Sequence, residues 1–300
     1  MQKNTEKMLD PQTLAAVRNF SLKARLIVDG FLIGRHRGPH HAFSHEYSRH
    51  RDYYPGDSLK LVDWKLFARS DRFFVREFQE ETNLYCWLLV DISRSMSYSG
   101  QAGPVTKLEY ASCLAAAFSY LLLQQKDMVG LILFDDRLRR VVKPSASSRQ
   151  LNILLKELKA VKEGGVSDFC RTARLAASRI KKRGLVVLFS DLLEPIDQIE
   201  KTLKHFLHGG RELIVFHLLT PEEIHFPFKR FGFFEDLETR QKVLLQPNLL
   251  KAEYTRRMQE HLQALKALCR RIKVSYQLLE TTRSYDSALA EFFKVRERMH

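Results

Sequence analysis

The sequence predicts an α/β protein, a doubly wound, mostly parallel sheet over residues 84–300 preceded by a smaller N-terminal region over 1–83. Two observations carry this. From Leu84 onward, apolar runs of strand length alternate with longer amphipathic segments, the pattern of a parallel sheet covered on both faces. Three of those runs, LYCWLLV (84–90), LVVLFS (185–190) and ELIVFHL (212–218), are too continuously apolar to leave one face wet, so they belong at the centre.

The elements follow in order. Pro11 to Gly34 carries Leu14, Val17, Leu22, Leu26, Ile27 and Phe31 at helical spacing and reads as a helix broken once. Residues 34–51 are polar, turn-rich and hold five of the eleven histidines. A turn at Tyr54-Pro55-Gly56-Asp57, a short piece from Leu61 to Trp64 and an aromatic β-like run from Arg72 to Phe78 complete the first region. Beyond strand 84–90 come helix 107–125, strand 128–134, a short strand 138–142, helices 148–161 and 169–182, strand 185–190, helix 195–207, strand 212–218, helix 249–271, strand 273–279 and helix 284–298. The 138–142 strand is the one able to pair antiparallel at an edge. The Phe-rich connection 220–248 is longer than such joints usually are and reads as an irregular packed element.

Composition narrows the function classes. The longest apolar runs are about a third of the roughly 20 residues a membrane-crossing helix needs, and MQKNTEKMLD has no signal-peptide core. The expectation is a cytoplasmic protein without a membrane span. Cys86, Cys113, Cys170 and Cys269 lie far apart without a C-x-x-C pair, so reduced, mostly packed thiols are expected. The net charge is +14, and residues 137–183 hold 14 Lys/Arg against three acids. Such a field attracts nucleic acid, an anionic membrane surface or an acidic protein without choosing among them.

The sharpest local feature is Asp91-Ile92-Ser93-Arg94-Ser95, directly after the strongest strand. Ligands of open α/β sheets bind outside the carboxyl ends of strands, so this loop starts where a site is expected. One carboxylate and two hydroxyls at D-x-S-x-S spacing are hard oxygen donors suited to a small divalent cation such as magnesium. Asp191 follows another buried strand one hundred residues later, and the loop Gly164-Gly165-Val166-Ser167-Asp168 supplies a hydroxyl at Ser167. Asp168 reads equally as a helix N-cap, and Ser93 and Ser95 as capping residues. The histidines His36, His40, His41, His45 and His50 are irregularly spaced among arginines and read as an exposed basic loop rather than a zinc or copper site.

These residues carry a resemblance. The D-x-S-x-S loop, a later hydroxyl loop and a strand-end Asp resemble the metal-ion-dependent adhesion site of von Willebrand factor type A domains. Upstream, Arg51-Asp52-Tyr53-Tyr54-Pro55-Gly56-Asp57, Asp63-Trp64, Ala68-Arg69 and Phe74-Val75-Arg76-Glu77-Phe78-Gln79-Glu80-Glu81 resemble the hallmark segment of the bacterial domain-of-unknown-function family 58 (DUF58), which joins that segment to a type A domain. The resemblance implies a magnesium or manganese site built from Asp91, Ser93 and Ser95, from Ser167, and from Asp191 directly or through water. Related type A domains usually have threonine in the second loop, where this chain has Val166-Ser167. Family members are often encoded beside MoxR-type AAA+ ATPases and are suspected assembly or chaperone-like adaptors. The hallmark itself reads either as structural glue between the small first domain and the sheet domain, with Asp57, Asp63 and Arg69 networked around Trp64, or as a direct partner surface.

Three functions compete. The first is a metal-dependent, non-catalytic module that recognises an acidic side chain of a partner protein, the partner being a MoxR-type ATPase. The second is metal-assisted phosphoester hydrolysis, for which the chain has neither a D-x-D pair nor a second carboxylate cluster. The third is nucleic-acid binding through the 137–183 region, which lacks zinc-finger spacing or a stacking motif. A G-x-S-x-G elbow and a P-loop are both missing, so serine hydrolysis and nucleotide hydrolysis are not expected.

Overall fold

The computed structural model describes residues 10–17, 19–35, 49–54, 62–77, 84–101, 103, 105–162, 164–165, 168–237 and 240–299. In chain order these form α1 (Pro11–Ala15), α2 (Phe20–Arg35), β1 (Arg49–Asp52), α3 (Trp64–Ser70), β2 (Phe74–Glu77), β3 (Tyr85–Asp91) and a 3-10 turn at Arg94–Ser97. There follow α4 (Lys107–Gln124), β4 (Met128–Phe134), β5 (Leu138–Ser145), α5 (Gln150–Lys159), α6 (Phe169–Arg179), β6 (Leu185–Ser190), α7 (Ile196–Leu207) and β7 (Glu212–Leu219). The last elements are α8 (Pro221–His225), β8 (Gly232–Glu235), β9 (Lys242–Leu245), α9 (Pro247–Arg271), β10 (Ser275–Glu280) and α10 (Asp286–Met299).

The main sheet has six strands in the order β10-β7-β6-β3-β4-β5. All neighbours are parallel except β5, which pairs antiparallel with β4 at the edge. Side-chain alternation splits each central strand between two cores. Cys86, Leu88 and Val90 point to one core with α4, α5 and α10, whereas Trp87 and Leu89 point to the other with α6, α7 and α9. Both faces are therefore covered, which is why these runs lack a polar face. Each fully buried Val, Leu, Ile or Phe contributes about 1.5–3 kcal/mol.

By contacts the chain forms two units, Met1–Gly34 with Leu84–His300, and Arg35–Asn83. This departs from a division of 1–83 and 84–300 at its first end. Leu14, Ala24, Ile27 and Val28 are buried within the sheet domain's core, and Phe31 stacks on Phe293 with ring centroids 5.4 Å apart. An amphipathic helix of this kind goes where its apolar stripe is covered.

In the smaller unit, β1 and β2 pair antiparallel and Val62 bridges to Val75. The helix α3 was not foreseen. Asp63 caps it, its carboxylate accepting hydrogen bonds from the Lys65 and Leu66 amides at 3.1 Å each. Trp64 is not the buried centre expected of it: it is 54% exposed and packs edge-on against Phe67 and Phe73. Asp57 and four of the five clustered histidines lie outside the described residues; His50 is in β1.

The 220–248 connection also differs from expectation, since it contains α8 and a β8–β9 hairpin. Phe226, Phe228 and Phe234 cluster at 5.1–5.9 Å between ring centroids, which gives the four-residue strands an apolar face to rest on. Among the described residues no helix is long and apolar enough to cross a membrane, and all four cysteines are free.

Candidate functional site

The chain runs from β3 to β4 on one side and returns to β6 on the other, so β3 lies between strands laid down in opposite directions from it. A crevice at the carboxyl end of such a switch point is where α/β sheets take ligands. The parallel register pairs Asp91 with Phe134 and Val90 with Phe189, so the ends of β3 and β6 lie side by side. Asp91 and Asp191 are thereby brought together from one hundred residues apart.

The first loop folds back on itself. One Asp91 carboxylate oxygen accepts from the Ser93 amide at 2.9 Å, and the other accepts from the Ser190 hydroxyl at 2.7 Å. Ser93 and Ser95 hydroxyl oxygens lie 3.1 Å apart. The Asp91 carboxyl is buried, and burial followed by repulsion from Asp191 pushes its pKa up to about 7. Ser95 favours the ionised form of Asp191.

Asp191 has a partner that sequence reading missed. Lys107, at the first position of α4, is fully buried and its ammonium donates to Asp191 Oδ2 at 2.8 Å and to Glu223 Oε1 at 2.6 Å. Burial alone would lower the Lys107 pKa, but the two carboxylates outweigh it and raise the pKa. Burial likewise opposes ionisation of Asp191, and the ammonium overrides it, holding Asp191 below the ordinary carboxylate range. The overlooked signal is positional. A lysine at a helix N-terminus opposes the macrodipole, so it stands there for a partner elsewhere.

The third loop is pinned by its backbone. His217, fully buried, is held neutral because burial drives its pKa down to about 3. The hydrogen-bond network then assigns its tautomer: Nε2–H donates to the Asp191 carbonyl at 2.7 Å, and Nδ1 accepts from the Tyr276 hydroxyl at 2.8 Å. Both nitrogens are used in positioning. His261 donates to the Leu192 carbonyl at 2.8 Å, and Leu192 sits in the left-handed region with φ 41. Such a backbone persists for leucine only where its surroundings enforce it.

The second loop is braced by Asp135, a residue the motifs did not single out. Its carboxylate is fully buried and accepts from the Gly165 amide at 2.9 Å and from Arg139 Nε at 2.7–2.8 Å. Burial alone would raise its pKa, but the Arg139 fork and these amides hold it at about 2. The Gly164 amide donates to the Ile92 carbonyl at 2.6 Å and the Arg94 amide to the Gly165 carbonyl at 3.0 Å, so the first two loops are stitched together. Val166 and Ser167 lie outside the described residues. Asp168 is the N-cap of α6, accepting from the Arg171 amide at 3.2 Å.

The donors gathered here are hydroxyls and carboxylates, the oxygen set that hard cations take. Among the described residues no group of three or more His, Cys, Asp or Glu could hold a metal, so a zinc-type cluster is not formed by them. The basic 137–183 region is partly neutralised: Arg139 pairs with Asp135 and Asp136, and Arg140 with Glu157 at 2.7 Å.

The model of a family described as "Protein of unknown function DUF58" matches residues 49–264. The uncharacterized protein Rv1480 of Mycobacterium tuberculosis is 26% identical over 221 residues, which cover 73% of this chain and 68% of that protein. Among solved structures, the conserved hypothetical protein BatB from Bacteroides thetaiotaomicron is 15% identical with a TM-score of 0.43, covering 72% of this chain and 100% of that one. The SpRpn10 VWA domain is 12% identical with a TM-score of 0.33, covering 45% of this chain and 75% of that one.

Proposed function

Because this chain belongs to the DUF58 family, we propose that it is a non-catalytic protein-binding module of the type A kind, in which magnesium or manganese is held at the end of β3. Asp91, Ser93 and Ser95 would hold the ion, with Asp191 beside them and Ser167 from the second loop. The observation that carries this reading is the pair of Ser93 and Ser95 hydroxyl oxygens 3.1 Å apart on a loop whose Asp91 carboxyl lies within electrostatic reach of Asp191. When bound, the ion would supply a Lewis-acidic position that a partner's Asp or Glu side chain joins in place of water.

The chain's own residues have distinct tasks in this scheme. Ser190 and the Ser93 amide orient Asp91, while Lys107 offsets the charge of Asp191 and Glu223. His217 and His261 keep the third loop in place through its carbonyls. The proposed partner is a MoxR-type AAA+ ATPase or a protein assembled with it, and its support is the family resemblance.

Thermal unfolding with and without magnesium tests the site, since a ligand that binds only the folded state raises its stability by mass action. We expect a cation-dependent rise for wild type that D91A and S95A lose. Equal shifts in all three proteins would overturn the assignment. For the partner, binding of a purified MoxR-type ATPase should require magnesium and fail with S95A. Phosphoester turnover by wild type and not by S95A would put hydrolysis in its place.

A further inference from the structure

The β8–β9 hairpin presents two unlike faces. Phe234 turns inward onto Phe226 and Phe228, while Phe233 and its cross-strand partner Leu244 are 73% and 49% exposed. Directly opposed residues of an antiparallel pair share a face. Phe231 has the same parity as Phe233 and is 64% exposed. At the same end, where Gly232 pairs with Leu245, the chain enters α9 at Pro247, and its first turn exposes Leu249 at 75% and Leu250 at 39%. Soluble monomers rarely leave so many large apolar side chains together in water.

Cations flank this end on both sides. Lys229 and Arg230 precede Phe231, Lys251 follows Leu250, and all three are exposed with no ion-pair partner among the described residues. The hairpin's far end is different: Glu235 neutralises Arg240 and Lys242 at 2.9 and 3.5 Å, and the Leu237 carbonyl accepts from Arg94 of the first site loop.

We propose that this end of the hairpin docks on an anionic lipid bilayer, Phe231, Phe233 and Leu249 entering the interface while Lys229, Arg230 and Lys251 meet the headgroups. Two physical points select this occupant. The apolar side chains stand out from the surface, and a fluid acyl layer closes around protruding groups without a preformed groove. An isologous contact with a second copy would set the same patch against itself and bring the three cations face to face, whereas an anionic bilayer complements them. Phe226, Phe228 and Phe234 pack together beneath and support the hairpin. This inference is independent of the cation site.

The test is sedimentation of the full chain with vesicles of phosphatidylglycerol and phosphatidylcholine in equal parts, against phosphatidylcholine alone. Wild type should bind the anionic vesicles, and F231S–F233S–L249S should bind at least about tenfold more weakly. K229E–R230E–K251E should lose a similar factor and the salt dependence with it. These positions are exposed, so unchanged melting curves verify folding. In a separate measurement, brominated acyl chains should quench the fluorescence of F233W more than that of wild type, whose Trp64 and Trp87 set the baseline. Wild type left in the supernatant, equal binding by the apolar variant, or F233W quenched no more than wild type would each overturn the proposal. So would a concentration-dependent dimer lost in F231S–F233S–L249S without vesicle binding, which would assign the face to a second copy.

Discussion

The Lys107 ammonium lies 2.8 Å from Asp191 Oδ2, with the lysine side chain wholly buried and the aspartate's 6% exposed. With Glu223 as a second acceptor at 2.6 Å, the cation ties the start of α4 to the end of β6 and to α8. Taking one partner from such a group leaves buried charge uncompensated.

K107M should therefore destabilise the protein by about 3–5 kcal/mol, measured by urea unfolding. Adding D191N and E223Q in that background should recover most of the loss, since no unpaired charge is then buried. A K107M protein as stable as wild type would show that the triad contributes nothing.

The Asp91 carboxyl gives a stability signature with a definite sign. Its proton leaves near pH 3.8 in the unfolded chain and near 7 in the folded one. Between those values the folded state binds more protons, so stability falls as pH rises through the window and the loss is complete above it. In chelator, D91N should be more stable than wild type at about pH 8, and that advantage should shrink as pH falls through the window and vanish only below the unfolded value of 3.8. A cation binds the carboxylate in competition with the proton. The magnesium-induced rise in melting temperature should thus be larger above pH 7 than below it, by calorimetry at both, and a pH-independent rise would sink this account.

Gly164 is a close-approach position. A Cβ there would collide with Asp135 Oδ2 and meet the Ile92 carbonyl at 2.7 Å, whereas at Gly165 the nearest atom is Arg139 Nη2 at 3.6 Å. G164A should cost about 1–3 kcal/mol and reduce the magnesium response, while G165A should stay within about 0.5 kcal/mol of wild type. Chemical denaturation of both variants checks the contrast, and equal losses would remove the argument.

Features that depend only on neighbours along the chain could be read before any folding. The apolar runs of β3, β6 and β7, the break between α1 and α2, and the placing of Asp91-Ile92-Ser93-Arg94-Ser95 after a buried strand were all legible, because periodicity and strand-end position are local properties. The fold decided the rest. The strand order put β6 beside β3 and so Asp191 beside Asp91. Lys107 met its carboxylates across 84 and 116 residues, and Asp135 reached the Gly165 amide across 30. The four-residue strands β8 and β9 are too short for a periodic signal and exist because Phe226 and Phe228 give Phe234 a surface. The N-terminal helices joined the sheet domain for the same reason, since an apolar stripe states that it must be covered and only the folded chain supplies what covers it.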